Sequence, residues 1–397
     1  MQPNDVIRQV TYLCCGVDVP VYAVWIFFEN SETSTNGNKI PDGNVIFILE
    51  QTVMTIDDDQ IPIWLDCDTG NDDAFAILFA AFHPRIKLVG ISTVHGNAPL
   101  QKTTHNTLAV LDMMRVCCNV YPGELHPLIN NAKFAGEIHG VQGLGGVVVP
   151  QKTELDISTD LTYLEAMKQA IVTYEGSICV VCTGTLTNFS KLLSKYPGID
   201  EKIRYVSVMG GGVGIGNVTK YAEFNFNADP HAAHHVLSAV SPRKVILAPL
   251  NLTHQVRATE RVRNLIYNKD DKMKSTDFRL FFYSILMFYN QAYVDKYGII
   301  DGPPIHDPVA VYSLFPFIDD DFEKYGYECL QTKAEVVESG PEEGMLVIDA
   351  EGGNEVFIGE KVDTTKFWDQ LLHVLELAEA NAKRGTHKAT TSVEVDM

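Results

Sequence analysis

The sequence predicts an α/β fold in which helices flank a mainly parallel sheet. From Ile61 onward, short apolar runs typical of buried strands alternate with longer stretches typical of helices. Polar and glycine-rich segments follow directly after several of the apolar runs. Because parallel strands end at the same edge of a sheet, this order predicts that the polar segments meet in one ligand-binding crevice.

Five runs are predicted to be strands, because they are short and apolar: Ile61–Leu65, Lys87–Val94, Ser177–Cys182, Tyr205–Met209 and Lys244–Leu247. Five longer stretches are predicted to be helices: Ala74–Phe82, Leu100–Met114, Thr187–Lys195, Pro230–Val240 and Thr276–Lys296. No internal repeat is present.

The composition at the two ends differs from that of the rest of the chain. Residues 1–60 are predicted to be a poorly structured N-terminal extension, since residues 30–44 are rich in Asn, Ser, Thr and Gly. The apolar run 21–28 is too short for a membrane helix, which needs about 20 residues, and the segment lacks the basic start and the small-residue cleavage site of a signal peptide. Residues 61–382 are predicted to form the functional domain, and residues 383–397 a flexible tail.

The overall charge limits the possible partners. The 51 acidic residues outnumber the 31 basic ones, which gives a net charge of −20. A nucleic-acid-binding surface is basic, and an anionic membrane repels an acidic chain, so neither partner is expected.

The adjacent pairs Cys14-Cys15 and Cys117-Cys118 favour a reduced compartment over a disulfide framework. These features predict a cytoplasmic protein, with the nucleus as a second compartment.

The motif between Trp64 and Ala76 places four carboxylates within eight residues. Asp66, Asp68, Asp72 and Asp73 stand where a predicted buried strand turns into a predicted helix. Like charges repel and burial disfavours ionisation, so such crowding indicates a bound cation. Oxygen-only ligands favour Ca²⁺ or Mg²⁺ over zinc. In the alternative interpretation, Asp72 and Asp73 only favour the helix dipole, which leaves the other two unexplained.

A glycine-rich loop follows the predicted strand Tyr205–Met209. Residues 210–216 contain five glycines but fit neither the dinucleotide-binding motif nor a P-loop. Asn217, Glu223 and Asn225 come next, and their side chains suit the hydroxyl groups of a sugar. The alternative is an ordinary Asn-rich turn.

The run G-P-P-I-H-D-P contains His306 and Asp307, far along the chain from the acidic motif. Pro308 is predicted at the first position of a helix that Asp307 caps. In that interpretation Asp307 is only a helix cap and His306 only a packed histidine. Beside a metal, Asp307 becomes a further ligand and His306 an acid.

Taken together, these motifs resemble the inosine–uridine preferring nucleoside hydrolase family over residues 61–382. The signature D-x-D-x-G-x-D-D-A is followed in family order by G-N, T-G-x-L-T-N, M-G-G-G, E-F-N and H-D-P. The sequence D-C-D-T-G-N-D-D-A-F-A-I within this motif is most similar to the fungal-type uridine nucleosidase branch. Thr69 stands where many members have proline. The resemblance implies a Rossmann-like nucleoside hydrolase fold.

The resemblance also implies roles for individual residues. The implied Ca²⁺ ligands are Asp68, Asp73, Asp307 and the carbonyl of Thr183, and Asp68 is the implied base that activates water. The implied ribose-binding residues are Asp72, Asn97, Asn217, Glu223 and Asn225, with Met209 beside them. The implied residues around the base are His306, which acts as the acid, His139 on a mobile loop, and Tyr289, Gln291 and Tyr293 on an aromatic helix.

The resemblance implies the Ca²⁺-dependent hydrolysis of a ribonucleoside, namely of uridine to uracil and ribose in pyrimidine salvage. It also implies a homo-oligomer, either a dimer or a tetramer. The open alternatives are a broader or purine-preferring nucleosidase, acting on inosine or nicotinamide riboside, and a non-catalytic nucleoside-binding homologue. A haloacid-dehalogenase-type phosphatase also begins with D-x-D after a strand, but it needs Thr or Val where this chain has Gly70.

Overall fold

The computed structural model describes residues 6–14, 17–25 and 60–386, with side chains described from 60 to 383. The chain divides into two units, 1–59 and 60–397. In the first unit, β1 (Val6–Cys14) pairs antiparallel with β2 (Val17–Trp25). The sequence patterns do not predict this hairpin. The predicted linker at 30–44 and the tail from 387 onward lie outside the described residues.

The second unit is built on one nine-stranded sheet with the order β10-β9-β11-β8-β7-β6-β3-β4-β5. Its strands are β3 (Ile61–Cys67), β4 (Ile86–Thr93), β5 (Val120–Pro122), β6 (Cys179–Cys182), β7 (Tyr205–Met209), β8 (Val245–Ala248), β9 (Tyr327–Val336), β10 (Leu346–Ile348) and β11 (Asn354–Val362). The pairings from β11 through β8 to β5 are parallel, and only β9 pairs antiparallel with its neighbours. The predicted fold class, a mainly parallel sheet flanked by helices, is confirmed.

The helices of this unit are α1 (Asp73–Phe82), α2 (Leu100–Met114), α3 (Gly136–His139), α4 (Tyr163–Thr173), α5 (Thr187–Lys195), α6 (Phe224–Ala228), α7 (Pro230–Ala239), α8 (Leu250–Thr253), α9 (Glu260–Ile266), α10 (Asp277–Tyr297), α11 (Asp307–Tyr312), α12 (Leu314–Asp319), α13 (Phe322–Tyr325) and α14 (Thr364–Thr386). None of the helices in the described ranges is long and apolar enough to cross a membrane.

Two hydrophobic clusters hold the helices to the sheet. One contains Phe75 and Phe79 of α1 with Phe367 of α14. The other contains Trp64 of β3 with Phe189 of α5. Both faces of the central strands are therefore buried, which explains why β3 and β6 are continuous apolar runs. Cys179 and Cys182 are buried and free.

The ten predicted strands and helices match the observed ones to within two residues at each end. The main differences lie at the edges of the sheet, where β5, β9, β10 and β11 are not predicted. The start of α11 also needs correction, because His306 occupies the N-cap position. Asp307 is the first residue of that helix rather than its cap, and Pro308 follows at the second position. The Asp307 carboxylate is thus free to face the crevice.

Candidate active site

Three elements bring carboxylates of the acidic motif together with Asp307. β3 ends at Cys67, so Asp68 lies just beyond its carboxyl end, while Asp73 is the first residue of α1. Asp307 arrives from the start of α11. Asp72, Asp73 and Asp307 each offer a carboxylate oxygen, and these oxygens lie within 4.8 Å of one another. All of these side chains are buried.

The loops after β4 and β6 hold these carboxylates in place. Asn97 donates from its backbone N to Asp68 Oδ2 at 2.7 Å, and from Nδ2 to Asp73 Oδ2 at 3.0 Å. The Gly70 amide donates to Asp73 Oδ2 at 2.8 Å, and the Thr183 hydroxyl donates to Asp73 Oδ1 at 2.8 Å. A predicted ribose-binding residue, Asn97, therefore contacts two predicted metal ligands directly.

Burial raises the pKa of every carboxyl in this cluster, and repulsion adds to it for Asp68, Asp72 and Asp307. Burial is the largest cause for Asp68, followed by the charge of Asp73, and its pKa lies well above the usual value. The same two causes raise the pKa of Asp72 to about 7. Burial, then the charges of Asp72, Asp73 and Asp68, raises the pKa of Asp307 strongly.

This electrostatic arrangement fits a bound cation. No described lysine or arginine donates a hydrogen bond to these carboxylates, so their repulsion is not relieved by a basic side chain. All the metal-ligand atoms that this cluster offers are oxygens, which hard divalent cations prefer. The cluster could therefore hold a metal ion, as the sequence predicts, although the donor set does not identify which ion.

The loops after β6 and β7 meet beside the cluster. The Thr183 carbonyl oxygen accepts from Asn225 Nδ2 at 2.8 Å, and the same amide lies 3.2 Å from the Met209 carbonyl oxygen. Met209 is the last residue of β7, and Asn225 lies in α6. Three residues that are far apart in the sequence thus form one hydrogen-bonded group.

Glu223 is the N-cap of α6 and organises this loop. Its Oε1 accepts from the Asn225 amide at 2.8 Å, and its Oε2 accepts from the Gly211 amide at 3.0 Å. Burial raises the pKa of Glu223 to about 7. Gly211 has a φ of +75°, which favours glycine and lets its amide point at this carboxylate.

An aromatic wall lies beside the carboxylates, and Tyr289 Oη donates to Asp72 Oδ2 at 3.3 Å. Tyr289, Tyr293 and Tyr297 follow each other at intervals of four along α10, so they share one face of the helix. Tyr293 Oη lies 2.7 Å from His306 Nε2, and Thr253 Oγ1 lies 2.7 Å from His306 Nδ1. Burial holds the pKa of His306 well below its usual value, so the ring is neutral near pH 7.

His139 closes the wall from α3. Its Nδ1 accepts from the Asn71 amide at 3.1 Å, which places the ring proton on Nε2. Its ring centroid lies 5.4 Å from that of Tyr289. Burial lowers the pKa of His139 to about 3.

A cavity of about 390 Å³ lies between the carboxylates and the aromatic wall. The predicted site residues on its surface are Asp72, Asn97, His139, Thr183, Met209, Asn217, Glu223, Asn225, Tyr289, Tyr293, His306 and Asp307. Asp68 and Asp73 are buried beside it. Asn217 Oδ1 is buried without a hydrogen-bond partner among the described residues, so it is available to a ligand. Gln291 is exposed and donates to Asp295, which places it outside the cavity.

Several lining residues are not identified by the sequence motifs. Tyr297 lines the cavity, and its spacing from Tyr293 is a signal that could have found it. Lys133 and Lys296 also line the cavity, although the sequence motifs themselves contain no basic residue apart from Lys220. Lys133 Nζ lies 3.3 Å from Glu343 Oε1, and Lys296 pairs with Glu137. Both lysines therefore have carboxylate partners at the cavity wall.

The model of the inosine–uridine preferring nucleoside hydrolase family matches residues 63–369. This chain belongs to that family. The nucleoside hydrolase is 37% identical over 333 residues to uridine nucleosidase of Saccharomyces cerevisiae, which covers 81% of this chain and 97% of the yeast protein. It is 35% identical over 260 residues to a pyrimidine-specific ribonucleoside hydrolase of Escherichia coli, covering 64% of this chain and 79% of that protein.

A solved structure agrees with this assignment. The purine-preferring ribonucleoside hydrolase of Gardnerella vaginalis is 26% identical and superposes with a TM-score of 0.71, covering 80% of this chain and 99% of the other. The protein is accordingly an enzyme that hydrolyses the N-glycosidic bonds of nucleosides.

Proposed function

We propose that this nucleoside hydrolase is calcium-dependent and converts uridine to uracil and ribose. The observation that carries the proposal is the group of buried carboxylates beside a cavity of about 390 Å³. The uridine preference is supported by the similarity to the yeast uridine nucleosidase and the pyrimidine-specific bacterial enzyme. A free nucleoside is a small molecule whose binding needs no basic nucleic-acid-binding surface, so this activity agrees with the strongly acidic composition.

Asp68, Asp73, Asp307 and the Thr183 carbonyl are the groups proposed to hold the calcium ion. A bound ion of this kind would offer about 6–8 oxygen-ligand positions, and its charge would help to orient water and the ribose hydroxyls and to ease the loss of a proton from water. The ion also neutralises the repulsion that raises the pKa values of these carboxyls. Calcium rather than magnesium is proposed because the resemblance to the family implies it.

Asp68 is proposed as the general base. Its carboxylate takes a proton from the water that attacks the anomeric carbon on the face opposite the leaving base. Its Oδ2 is fixed by the Asn97 amide at 2.7 Å, so the orientation of the carboxylate is set before substrate arrives. A positioned base contributes typically ~10²–10⁴-fold to such a rate.

The ribose is proposed to lie among the polar groups of the loops. The proposed ribose-binding residues line the cavity next to the carboxylates: Asp72, Asn97, Met209, Asn217, Glu223 and Asn225. The unpartnered Oδ1 of Asn217 can accept from a sugar hydroxyl. A site built around hydroxyl groups rejects an analogue that lacks one, because its own buried polar groups then lose their partners.

The base is proposed to leave on the side of the aromatic wall. When the C–N bond breaks, its electron pair goes to the base nitrogen, and a proton must reach the base. His306 and Tyr293 share a short contact at 2.7 Å and form the proposed donating pair, with His306 as the acid. His139 and Tyr289 complete the wall.

The assembly and location of the enzyme are also proposals. We expect a homo-oligomer, either a dimer or a tetramer, as implied by the resemblance to the family. We expect the protein in the cytoplasm, with the nucleus as a second compartment. Neither a nucleic acid nor a membrane is an expected partner of a chain with a net charge of −20.

The deciding experiment measures ribose release from uridine, deoxyuridine, uridine monophosphate and inosine at equal concentrations, with and without a chelator. We expect uridine to be cleaved best, deoxyuridine and the monophosphate poorly, and all activity to disappear with chelator and return with Ca²⁺. A 5′-phosphate would meet Glu223 and the other carboxylates, while Lys133 and Lys296 already have acidic partners.

Each outcome separates one part of the proposal from the rest. Faster cleavage of inosine would replace uridine with the purine preference named for the Gardnerella enzyme. Efficient cleavage of the monophosphate would overturn the proposed ribose pocket. Full activity after chelation would overturn calcium dependence, and the absence of any cleavage would favour the non-catalytic binding homologue.

A further inference from the structure

One residue of the acidic motif, Asn71, has no part in the proposed reaction. It is neither a proposed metal ligand nor a lining residue of the cavity, although only 1% of its surface is exposed. An amide side chain that is buried in this way needs partners for its donors and its acceptor. The partners of Asn71 therefore show which parts of the structure it holds together.

The Asn71 side chain is hydrogen-bonded to two separate segments. Its Nδ2 donates to the Gly145 carbonyl oxygen at 2.9 Å and to the Ile285 carbonyl oxygen at 2.7 Å. Its Oδ1 accepts from the Gly145 amide at 3.3 Å. Gly145 lies in the loop 140–146 that follows α3, and Ile285 lies in α10. One buried amide thus joins the acidic motif to both this loop and α10.

Both of these segments carry residues of the aromatic wall. His139 is the last residue of α3, and its carbonyl oxygen accepts from the Gly145 amide at 2.8 Å. Tyr289 follows Ile285 by four residues in α10, so it lies about one helical turn further along. Asn71 is therefore bonded to backbone groups that lie close to His139 and Tyr289 in the structure.

The backbone of the acidic motif also contacts the His139 ring directly. The Asn71 amide donates to His139 Nδ1 at 3.1 Å. A Cβ atom at position 70 would lie 2.4 Å from the same nitrogen, so the ring packs against backbone that only glycine leaves open. The ring proton is then on Nε2, and His139 lines the cavity in which the base is proposed to lie.

We propose that Asn71 is a positioning residue for the departure of the base, acting through the loop of His139 and through α10. This inference rests on the proposed function, in which the base leaves on the side of the aromatic wall. When the C–N bond breaks, its electron pair goes to the base nitrogen, and hydrogen-bond donors stabilise that charge best when their positions are fixed beforehand. Asn71 fixes the wall relative to the carboxylates that hold the ribose and the attacking water.

The loop keeps other attachments when Asn71 is replaced. Asn106 of α2 donates from Nδ2 to the Gln142 carbonyl oxygen at 3.0 Å and to that of Thr69 at 3.1 Å. Leu144 is buried in the hydrophobic cluster that contains Phe75. Loss of the Asn71 side chain is therefore expected to shift the loop rather than to unfold the chain.

The test compares two leaving groups on the same sugar. The base of uridine must be protonated or hydrogen-bonded as it leaves, whereas para-nitrophenyl riboside releases a phenolate that is stable without a proton near neutral pH. In Asn71→Leu, kcat for uridine should fall by ~10²-fold, the cost of misplacing a group by about 1 Å, while kcat for the nitrophenyl riboside should change by less than about twofold. Asn71→Ala, which adds no bulk, should show the same selectivity.

The matched control is Asn381→Leu. Asn381 Nδ2 also donates to two backbone carbonyl oxygens, those of Met114 at 2.9 Å and Arg115 at 3.2 Å, but it joins α14 to the end of α2. This variant should cleave both substrates like the wild type. A second measurement needs no activity. Hydrogen exchange of the backbone amides in the loop 140–146 should be faster in both Asn71 variants than in the wild type and in Asn381→Leu.

The outcomes separate this inference from the proposed function. An equal loss of kcat on both substrates would assign the effect to the carboxylates or the ribose site, and it would overturn the positioning role. A rise in KM for uridine with unchanged kcat, or unchanged exchange in the loop, overturns that role as well. If another nucleoside is cleaved faster than uridine, only the proposed base preference fails, and the same comparison is made with that nucleoside. If the wild type cleaves no nucleoside, the proposed function fails, and the exchange measurement still decides whether Asn71 holds the loop.

Discussion

The carboxylate side and the aromatic side of the cavity solve opposite electrostatic problems. Burial raises the pKa of Asp68 and Asp307 and makes their charges costly, whereas burial lowers the pKa of His139 and His306 and keeps these rings neutral. A cation could hold the carboxylates together, because its charge would offset their repulsion. On the aromatic side, both ring nitrogens of His306 have neutral hydroxyl partners, Tyr293 and Thr253, so no cation is required there.

This difference indicates how the two sides divide the reaction. The carboxylate side provides charge, which suits the activation of water and the binding of ribose hydroxyls. The aromatic side provides neutral hydrogen-bond donors and acceptors in an apolar setting, which suits a departing heterocyclic base. The experiments below change one side at a time.

The largest effect is expected on the carboxylate side. Asp68→Asn or Asp73→Asn should abolish hydrolysis, because the proposed base or a metal ligand is lost, and a general base alone is worth ~10²–10⁴-fold. The metal-free variants should be folded and at least as thermally stable as the metal-free wild type, since one repelling charge is gone. Ribose release and a thermal melt followed by circular dichroism measure both effects.

An exposed carboxylate serves as the control for this pair. Asp160→Asn removes the same charge far from the cavity wall and should retain full activity. Near-normal turnover by Asp68→Asn would contradict the assignment of the base.

A smaller effect is expected on the aromatic side. Tyr293→Phe removes the hydroxyl that lies 2.7 Å from His306 Nε2, and kcat should fall by about tenfold, the value of one neutral hydrogen bond. The KM for the nucleoside should change less, because the bond is proposed to matter most as the base departs. Tyr312→Phe is the matched control, since its buried hydroxyl only donates to the Tyr325 carbonyl oxygen. An unchanged kcat in Tyr293→Phe would remove this pair from the mechanism.

The neutral state of the aromatic side also predicts a dependence of stability on pH. The pKa of His139 is about 3 in the folded protein and 6.5 in the unfolded chain. Between these two pH values the ring binds a proton in the unfolded chain but not in the folded protein. Stability therefore falls as the pH drops through this window, by about 2 kcal/mol at pH 5 from this residue.

Urea unfolding at pH 7 and pH 5 checks this expectation. The wild type should lose about 2 kcal/mol more than His139→Gln between the two pH values, because all other titrating groups are common to both. His126→Gln, at an exposed position, is the control and should behave like the wild type. Equal losses in the wild type and His139→Gln would show that His139 is protonated in the folded state.

The smallest effect is expected outside both sides of the cavity. A variant that begins at Asp57 lacks the N-terminal unit and should hydrolyse uridine at the wild-type rate, since the family match starts at residue 63. Kinetics and size-exclusion chromatography compare the two proteins. A folded but inactive short variant would assign the extension a role in catalysis or assembly.

The central part of the fold can be predicted from the sequence because its signals are local. Tyr205–Met209 and Leu100–Met114 are bounded by the residues predicted from their apolar patterns. The strands β9 and β11 are not predicted, because they carry many charged residues and pair at the antiparallel edge of the sheet. Their pairing depends on partners that are distant in the sequence, which no local pattern records.

The chemistry of the site also divides into a part that local sequence signals predict and a part that only the tertiary structure shows. The sequence alone determined the acidic motif, the order of the family motifs and the residue types that can hold a metal and a sugar. Only the tertiary structure placed Asp307 within 4.8 Å of Asp72 and Asp73, and joined Tyr293 to His306. The physical reason is that short-range signals specify which residues end a strand or begin a helix. Contacts between those ends exist only after the sheet has assembled and burial has set the pKa of each group.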